Sequence, residues 1–224
     1  MGSDDLFHKR KAIKATQLAR RKSLRDPYAK VLIVCEGEKS EPNYFNGFKD
    51  HYGLNSANVE VCGECNSDPL SIVRFAIDLY RKERNAGDSF DRVYCVFDKD
   101  THANYQSALD QINRAVPKET IFAITSVPCF EYWLLLHFQY TTRPYEALPG
   151  NSAGNQLLRD LKAVMPDYEK GKQNIFPALL DQLEFAKHNA VRALEAGKSG
   201  HTDNPTTHVH KLVEYLQKIK GHGN

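Results

Sequence analysis

The sequence predicts an α/β fold in which helices flank a mainly parallel sheet. Three observations predict it. VLIVC from Val31, RVYCVF from Arg92 and TIFAIT from Thr120 are short, continuous apolar runs rich in β-branched residues. A strand covered on both faces, as in a parallel sheet, reads this way rather than alternating. Helix-length segments separate the runs, which is the pattern of βαβ units. No strand signal reappears after Thr141, so the rest of the chain reads as a helical extension.

Taken in order, residues 6–22 lack Gly and Pro and carry only a thin apolar stripe of Leu6, Ile13 and Leu18. They read as a basic helix or a partly disordered arm that Asp26-Pro27 ends. Val31 to Cys35 is the first strand. It runs into Glu36-Gly37-Glu38 and a helix from Glu41 to about Asp50, with Pro42 suited to its first turn. Asn58 to Cys62 is a shorter, weaker strand. Asp68-Pro69 opens a helix to about Glu83, Asp68 as cap and Pro69 as first helical residue, with Leu70, Val73, Ile77 and Tyr80 on one face. Arg92 to Phe97 is the third strand, ending in Asp98-Lys99-Asp100, and a helix follows from about Tyr105 to Ala115. Thr120 to Thr125 is the fourth strand, and Pro128 to Phe138 a strongly apolar helix. Residues 143–152 are loop-like. Residues 153–164, 175–196 and 206–219 read as helices, the last capped by Asn204 ahead of Pro205. The expected organisation is a basic arm (1–27), an α/β core (28–140) and a helical extension packed on it (141–224).

Composition supports a globular protein: 41% of the 224 residues are hydrophobic and 26% charged. That excludes a wholly disordered chain, a collagen and a small disulfide scaffold. The formal net charge of +2 conceals an asymmetry. Residues 1–30 hold nine basic residues against three acids, a net +6, while the other 194 hold 21 against 25, a net −4. A basic arm on a mildly acidic body can bind nucleic-acid phosphates, dock an acidic partner or solubilise the chain. The five cysteines are an odd number, the N-terminus has no apolar signal region, and the longest apolar stretch, Trp133 to Leu136, is too short to span a bilayer. A reduced, cytoplasmic protein without a membrane span is expected.

Three carboxylates fall at the carboxyl ends of predicted strands: Glu36 after the first, Asp98 and Asp100 after the third. In open α/β sheets ligands bind in the crevice beyond those ends. Residues two apart in an extended segment point the same way, so Asp98 and Asp100 can face one site. Clustered carboxylates repel unless they protonate or share a cation. Hard oxygen donors at a partly open site suit Mg²⁺ or Mn²⁺, which activates water and offsets charge on a phosphoryl group. An acid after a strand is also an ordinary turn or cap residue, and for Glu36 alone that plainer reading has equal weight.

VLIVCEGEKSEPNYF (31–45), VYCVFDKD (93–100) and SVPCFEYWLLLHF (126–138) resemble the RloB family, a TOPRIM-related group, and NPTTHVHKLVEYL (204–216) is similar to its C-terminal signature. The resemblance covers roughly residues 28–216 and leaves the basic arm outside. It implies a TOPRIM-like sheet in which a Glu after the first strand and an Asp-x-Asp after a later one bind the divalent metal, features matched by Glu36, Asp98 and Asp100. It implies further acids downstream, for which Glu41 is favoured over Glu38, and Glu131 is a second metal-ligand candidate or else a helix-start acid stabilised by the dipole. It also implies a component of phage-defence or abortive-infection loci, with an ABC-type ATPase as partner.

Other motifs carry less. Gly37-Glu38-Lys39-Ser40 is superficially like a Walker A loop, but the glycine positions hold Ile33 and Glu38; Gly197-Lys198-Ser199 fails likewise at Arg192. ATP binding by this chain is not expected. Cys62 and Cys65 have zinc-ligand spacing without a second pair, so a turn with two incidental cysteines is favoured. His208 and His210 fall on opposite sides of one helix turn, His208 being able to face the cleft, and His137 reads as a core histidine. Trp133, Phe130 and Phe138 read as core. Lys39, Lys170 and Lys172, with Arg20, Arg21 and Lys22 of the arm, are the nucleic-acid-binding candidates against the plainer reading of solvated cations.

The expected function is a Mg²⁺- or Mn²⁺-dependent nuclease acting on DNA or RNA in anti-phage defence. Glu36, Asp98, Asp100 and Glu41 are its expected catalytic residues, and Glu36, Asp98, Asp100 and Glu131 its metal ligands. The alternative is a non-catalytic TOPRIM-like adaptor or nucleic-acid-binding subunit of an ATPase-containing complex. Self-association is compatible with either.

Overall fold

The computed structural model describes residues 29–54, 58–63, 68–99 and 103–221. The basic arm with Arg20, Arg21 and Lys22, and also Asp100 and Cys65, lie outside the described residues. Among those described, β1 (Val31–Cys35) pairs in parallel with both β2 (Val59–Cys62) and β3 (Arg92–Asp98), and β3 pairs in parallel with β4 (Ile121–Val127). β5 (Thr206–Thr207) lies antiparallel to β4, which gives the sheet order β2-β1-β3-β4-β5. The fold is therefore α/β with a mostly parallel sheet, consistent with a TOPRIM-like fold.

Helices cover both faces: α1 (Ser40–Tyr52), α2 (Pro69–Asn85), α3 (Tyr105–Arg114), α4 (Glu131–Leu135), α5 (Ala153–Val164), α6 (Ile175–Leu179), α7 (Leu183–Ser199) and α8 (Val209–Gly221). Alternation along the strands divides the core. Leu32, Val34, Val93, Cys95 and Phe97 pack with Ile72, Val73, Ile77 and Ala108 of α2 and α3. Val31, Ile33, Tyr94, Val96 and Ile124 face a larger core that includes Tyr44, Trp133, Leu157, Phe176, Leu183 and Leu212. Burying each such side chain contributes about 1.5–3 kcal/mol, so the residues after Thr141 are part of the main core. Asp68 caps α2 as expected, accepting the Ser71 N–H at 2.9 Å, with Pro69 opening the helix.

The structure departs from expectation in the second half. The apolar helix expected over Pro128–Phe138 is confined to Glu131–Leu135; β4 ends at Val127, residues 128–130 make a bend and turn into the helix, and residues 136–138 go on only as turns. The helix expected over 175–196 is broken by a 3₁₀ turn at Leu180–Gln182 and then runs on to Ser199. A strand does reappear after Thr141: Thr206 and Thr207 pair with Val127 and Ser126, so the last helix starts at Val209 rather than 206. Asn204 is not its cap, since its side chain exchanges hydrogen bonds with the backbone of Tyr145 at 3.1 and 2.7 Å. His208 precedes the helix, and its Nδ1 lies 3.0 Å from the Thr125 hydroxyl. Cys35, Cys62, Cys95 and Cys129 are free thiols. Among the described residues, no helix is long and apolar enough to cross a membrane.

His137 is buried in the larger core with Nδ1 3.0 Å from the Trp133 carbonyl, and burial pushes its imidazole down to about 4. The unfolded chain takes up that proton near the ordinary value of ~6.5. Between those values the unfolded state binds more protons, so stability is lost as pH falls through this window, by about 3 kcal/mol. Urea unfolding of wild type and His137→Gln at pH 7 and pH 4 is expected to show the wild type losing about that much relative to the variant.

Candidate active site

Parallel register brings the strand ends together. Cys35 pairs with Val96, and Asp98 stands opposite Ser126. The Glu36 N–H donates to the Val96 carbonyl at 2.9 Å, and the Asp98 N–H donates to Glu36 Oε2 at 2.8 Å, which ties the Glu36 carboxylate to the end of β3. The start of α1 supplies Glu41 in its first turn, and the start of α4, just beyond β4, supplies Glu131. Glu36, Glu41, Asp98 and Glu131 thereby line one cleft of about 410 Å³ at the carboxyl end of the sheet. Glycine makes this approach possible: a Cβ on Gly37 would overlap the Glu41 carboxylate.

The opposite wall comes from the helical extension. The Tyr168 hydroxyl donates to Glu131 Oε1 at 3.1 Å, and Lys170 Nζ stands 3.7 Å from the same oxygen. This loop is anchored on α1, where the Gly171 N–H donates to the Ser40 hydroxyl at 3.0 Å and the Asn43 amide donates to the Gly171 carbonyl at 2.9 Å. Gly171 has φ +79, and a Cβ there would sit 2.9 Å from the Lys39 stem, so both conformation and space call for glycine. Ser152, Gly154 and Asn155 also line the cleft. Ser152 caps α5 by accepting the Asn155 N–H at 3.1 Å, so the amino end of that helix opens on the cleft.

The acids of the cleft act on one another. Burial, and then the neighbouring Glu41, Glu36 and Glu131, push the Asp98 carboxyl well above the usual carboxylate range. Burial followed by Glu131 and Glu36 raises Glu41 to about 7, although its own backbone N–H favours the charged form. Glu131 holds the Lys170 ammonium charged and raises its pKa against the effect of burial. Burial, Glu131 and Asp98 push the Cys129 thiol well up, so it is no nucleophile at neutral pH.

In donor chemistry these residues suit Mg²⁺ or Mn²⁺, being carboxylates that repel one another without a cation. As the side chains stand, no group of three or more His, Cys, Asp or Glu among the described residues could hold a metal ion. Glu36 is engaged by the Asp98 N–H and Glu131 by Tyr168 and Lys170, so separate partners hold the acids.

Of the residues predicted from sequence, Glu36, Glu41, Asp98, Glu131, Lys39 and Lys170 line the cleft, and so does Glu38. Lys172 does not; its ammonium donates to the Asp167 carbonyl at 3.0 Å. His208 is turned to Thr125 and is not among the lining residues. Sequence reasoning missed Tyr168, Cys129 and the amino end of α5. A helix from residue 153 was legible, but nothing local marks the preceding Ser152 as its cap or as facing the acids.

A family model described as RloB-like protein matches residues 31–216. No curated protein matches the chain.

Proposed function

The chain belongs to the RloB-like family, and from that premise we propose that it is a divalent-metal-dependent nuclease, hydrolysing DNA or RNA phosphodiesters as a cytoplasmic effector of anti-phage defence. The observation that carries this reading is the convergence of Glu36, Glu41, Asp98 and Glu131 on one cleft, with Lys170 on its rim. Glu36 and Asp98, with Asp100 two residues further on, would hold the ion, flanked by Glu41 and Glu131. Bound Mg²⁺ or Mn²⁺ would supply activated water and offset phosphoryl charge.

The chain's own groups have separable roles. Lys170, 62% exposed at its side chain and with its ammonium 3.7 Å from Glu131, can turn to meet a phosphate oxygen. The amino end of α5 offers unpaired N–H groups and positive dipole to the same anion. Tyr168 orients Glu131. Incubation with plasmid DNA and total RNA, with Mg²⁺ or Mn²⁺ and with chelator, tests the reading: metal-dependent cleavage of either supports it, and intact substrates in every metal condition refute it. Lys170→Ala is expected to slow cleavage by roughly 10²-fold. Its melting temperature is measured alongside, because the partner Glu131 is only 4% exposed and loses its cation, although Tyr168 still donates to it. A single-turnover rate equal to wild type would remove Lys170 from the chemistry.

A second reading is a non-catalytic adaptor or nucleic-acid-binding subunit working with an ABC-type ATPase, alone or as a homo-oligomer. One observation favours it: the cleft acids already have protein partners, Glu36 the Asp98 N–H and Glu131 the Tyr168 hydroxyl and Lys170. Metal-dependent thermal stabilisation separates the two readings.

A further inference from the structure

We infer that Lys170 is the resident counter-ion of the carboxylate cleft, which competes with a divalent ion for Glu131 and so sets how tightly the ion is held. The inference rests on the metal reading above and concerns the control of that same site. The acids of the cleft need a cation. Glu41, Asp98 and Glu131 converge there, and Glu41 and Glu131 are buried. Carboxylates this close and this poorly hydrated stay charged only beside a positive charge.

Lys170 brings that charge. Its Nζ stands 3.7 Å from Glu131 Oε1. Glu131 acts on the ammonium most strongly, and Asp98 and Glu41 act on it as well. One lysine thus offsets several acids. The pairing is easily exchanged. At 3.7 Å the two groups are beyond hydrogen-bond length, so charge alone holds them, and a divalent ion carries twice the charge. The Lys170 side chain is mostly exposed while that of Glu131 is buried, so an ammonium that leaves returns to water and the carboxylate stays behind.

The loop need not move with it. On one side of Lys170, Tyr168 is buried and donates to the same Glu131 oxygen at 3.1 Å. On the other side, Gly171 is held to α1 by Ser40 and Asn43. The backbone is fixed at both flanks, so rotation of one long side chain suffices to free Glu131 of its cation. Lys172 supplies the contrast. It belongs to the same loop, but its ammonium donates to the Asp167 carbonyl and it does not line the cleft.

The test is calorimetric titration of the full chain with Mn²⁺, without nucleic acid, for wild type, Lys170→Met, Lys170→Arg and Lys172→Met, with melting temperatures taken in chelator. Met keeps the stem of the side chain and removes its charge, and Arg keeps the charge. When a site is competent only in the molecules whose lysine has left, the apparent affinity falls by that fraction. Lys170→Met is therefore expected to bind Mn²⁺ about 10-fold more tightly than wild type, and Lys170→Arg and Lys172→Met to stay within about 2-fold of it. Equal affinity in wild type and Lys170→Met would overturn the inference and leave the metal reading standing, because an ion pair that is only structural lowers the melting temperature without touching ion affinity. Tightening of the same size in Lys170→Arg or Lys172→Met would also overturn it. Absence of ion binding in every one of these proteins would overturn the metal reading and this inference with it.

Discussion

Asp98→Asn is expected to abolish metal-dependent cleavage while raising the melting temperature. Asp98 ends β3 beside Glu36 and shares its cleft with Glu41 and Glu131, and burial together with those acids holds its carboxyl well above the usual range. Asn keeps the shape and removes the charge. Partners that merely orient metal ligands already cost roughly 10–100-fold when mutated, so loss of a ligand should cost at least about 100-fold in rate. The same change relieves carboxylate repulsion, and each kcal/mol gained raises the melting temperature by about 2–4 °C in a chain of this size. Single-turnover rates and thermal melts on one preparation check both. Undiminished cleavage would take Asp98 out of the site, and loss of cleavage with a lower melting temperature would make the residue structural.

Trp133→Ala is expected to destabilise the protein by about 3–5 kcal/mol, a fall of roughly 6–20 °C. Trp133 is fully buried on α4. Its ring meets Tyr44 of α1 at 6.3 Å, and Tyr44 in turn meets Phe176 of α6 at 5.3 Å and Phe130 at 5.7 Å, all edge to face. One ring cluster thus joins the end of β4 to both the first helix and the extension. Because α1 and α4 also carry Glu41 and Glu131, cleavage should fall with stability. Trp133→Phe, which keeps a ring, should cost far less. Urea unfolding that shows less than 1 kcal/mol for the alanine variant would mean that this cluster does not hold the halves together.

The legible parts of the fold were those with strong local signals. Val31–Cys35 could be read to the residue because an unbroken β-branched run has few alternatives, and Asp68-Pro69 marked a helix start by capping chemistry. β5 was not legible, because two threonines have no periodicity and become a strand only by meeting Ser126 and Val127. The extent of α4 was obscured by a uniformly apolar run, which gives no face and no end. In the cleft, Glu36 and Asp98 were readable from their place after strands, and Glu41 only through the family resemblance. Tyr168 was not, since its link to Glu131 spans 37 residues and depends on how the extension folds back. Lys170 and Lys172 look alike in sequence, yet a turn at Gly171 separates one in the cleft from one bonded to its own loop.

The most direct test of the account is a melting-temperature titration of wild type and Asp98→Asn with Mg²⁺ and with Mn²⁺. At about 100 times the dissociation constant a bound ion contributes ~2.7 kcal/mol, which corresponds to a rise of about 5–10 °C. The account predicts that rise in wild type and none in Asp98→Asn. A wild-type melting temperature that ignores both ions, or a shift of equal size in the variant, would contradict it.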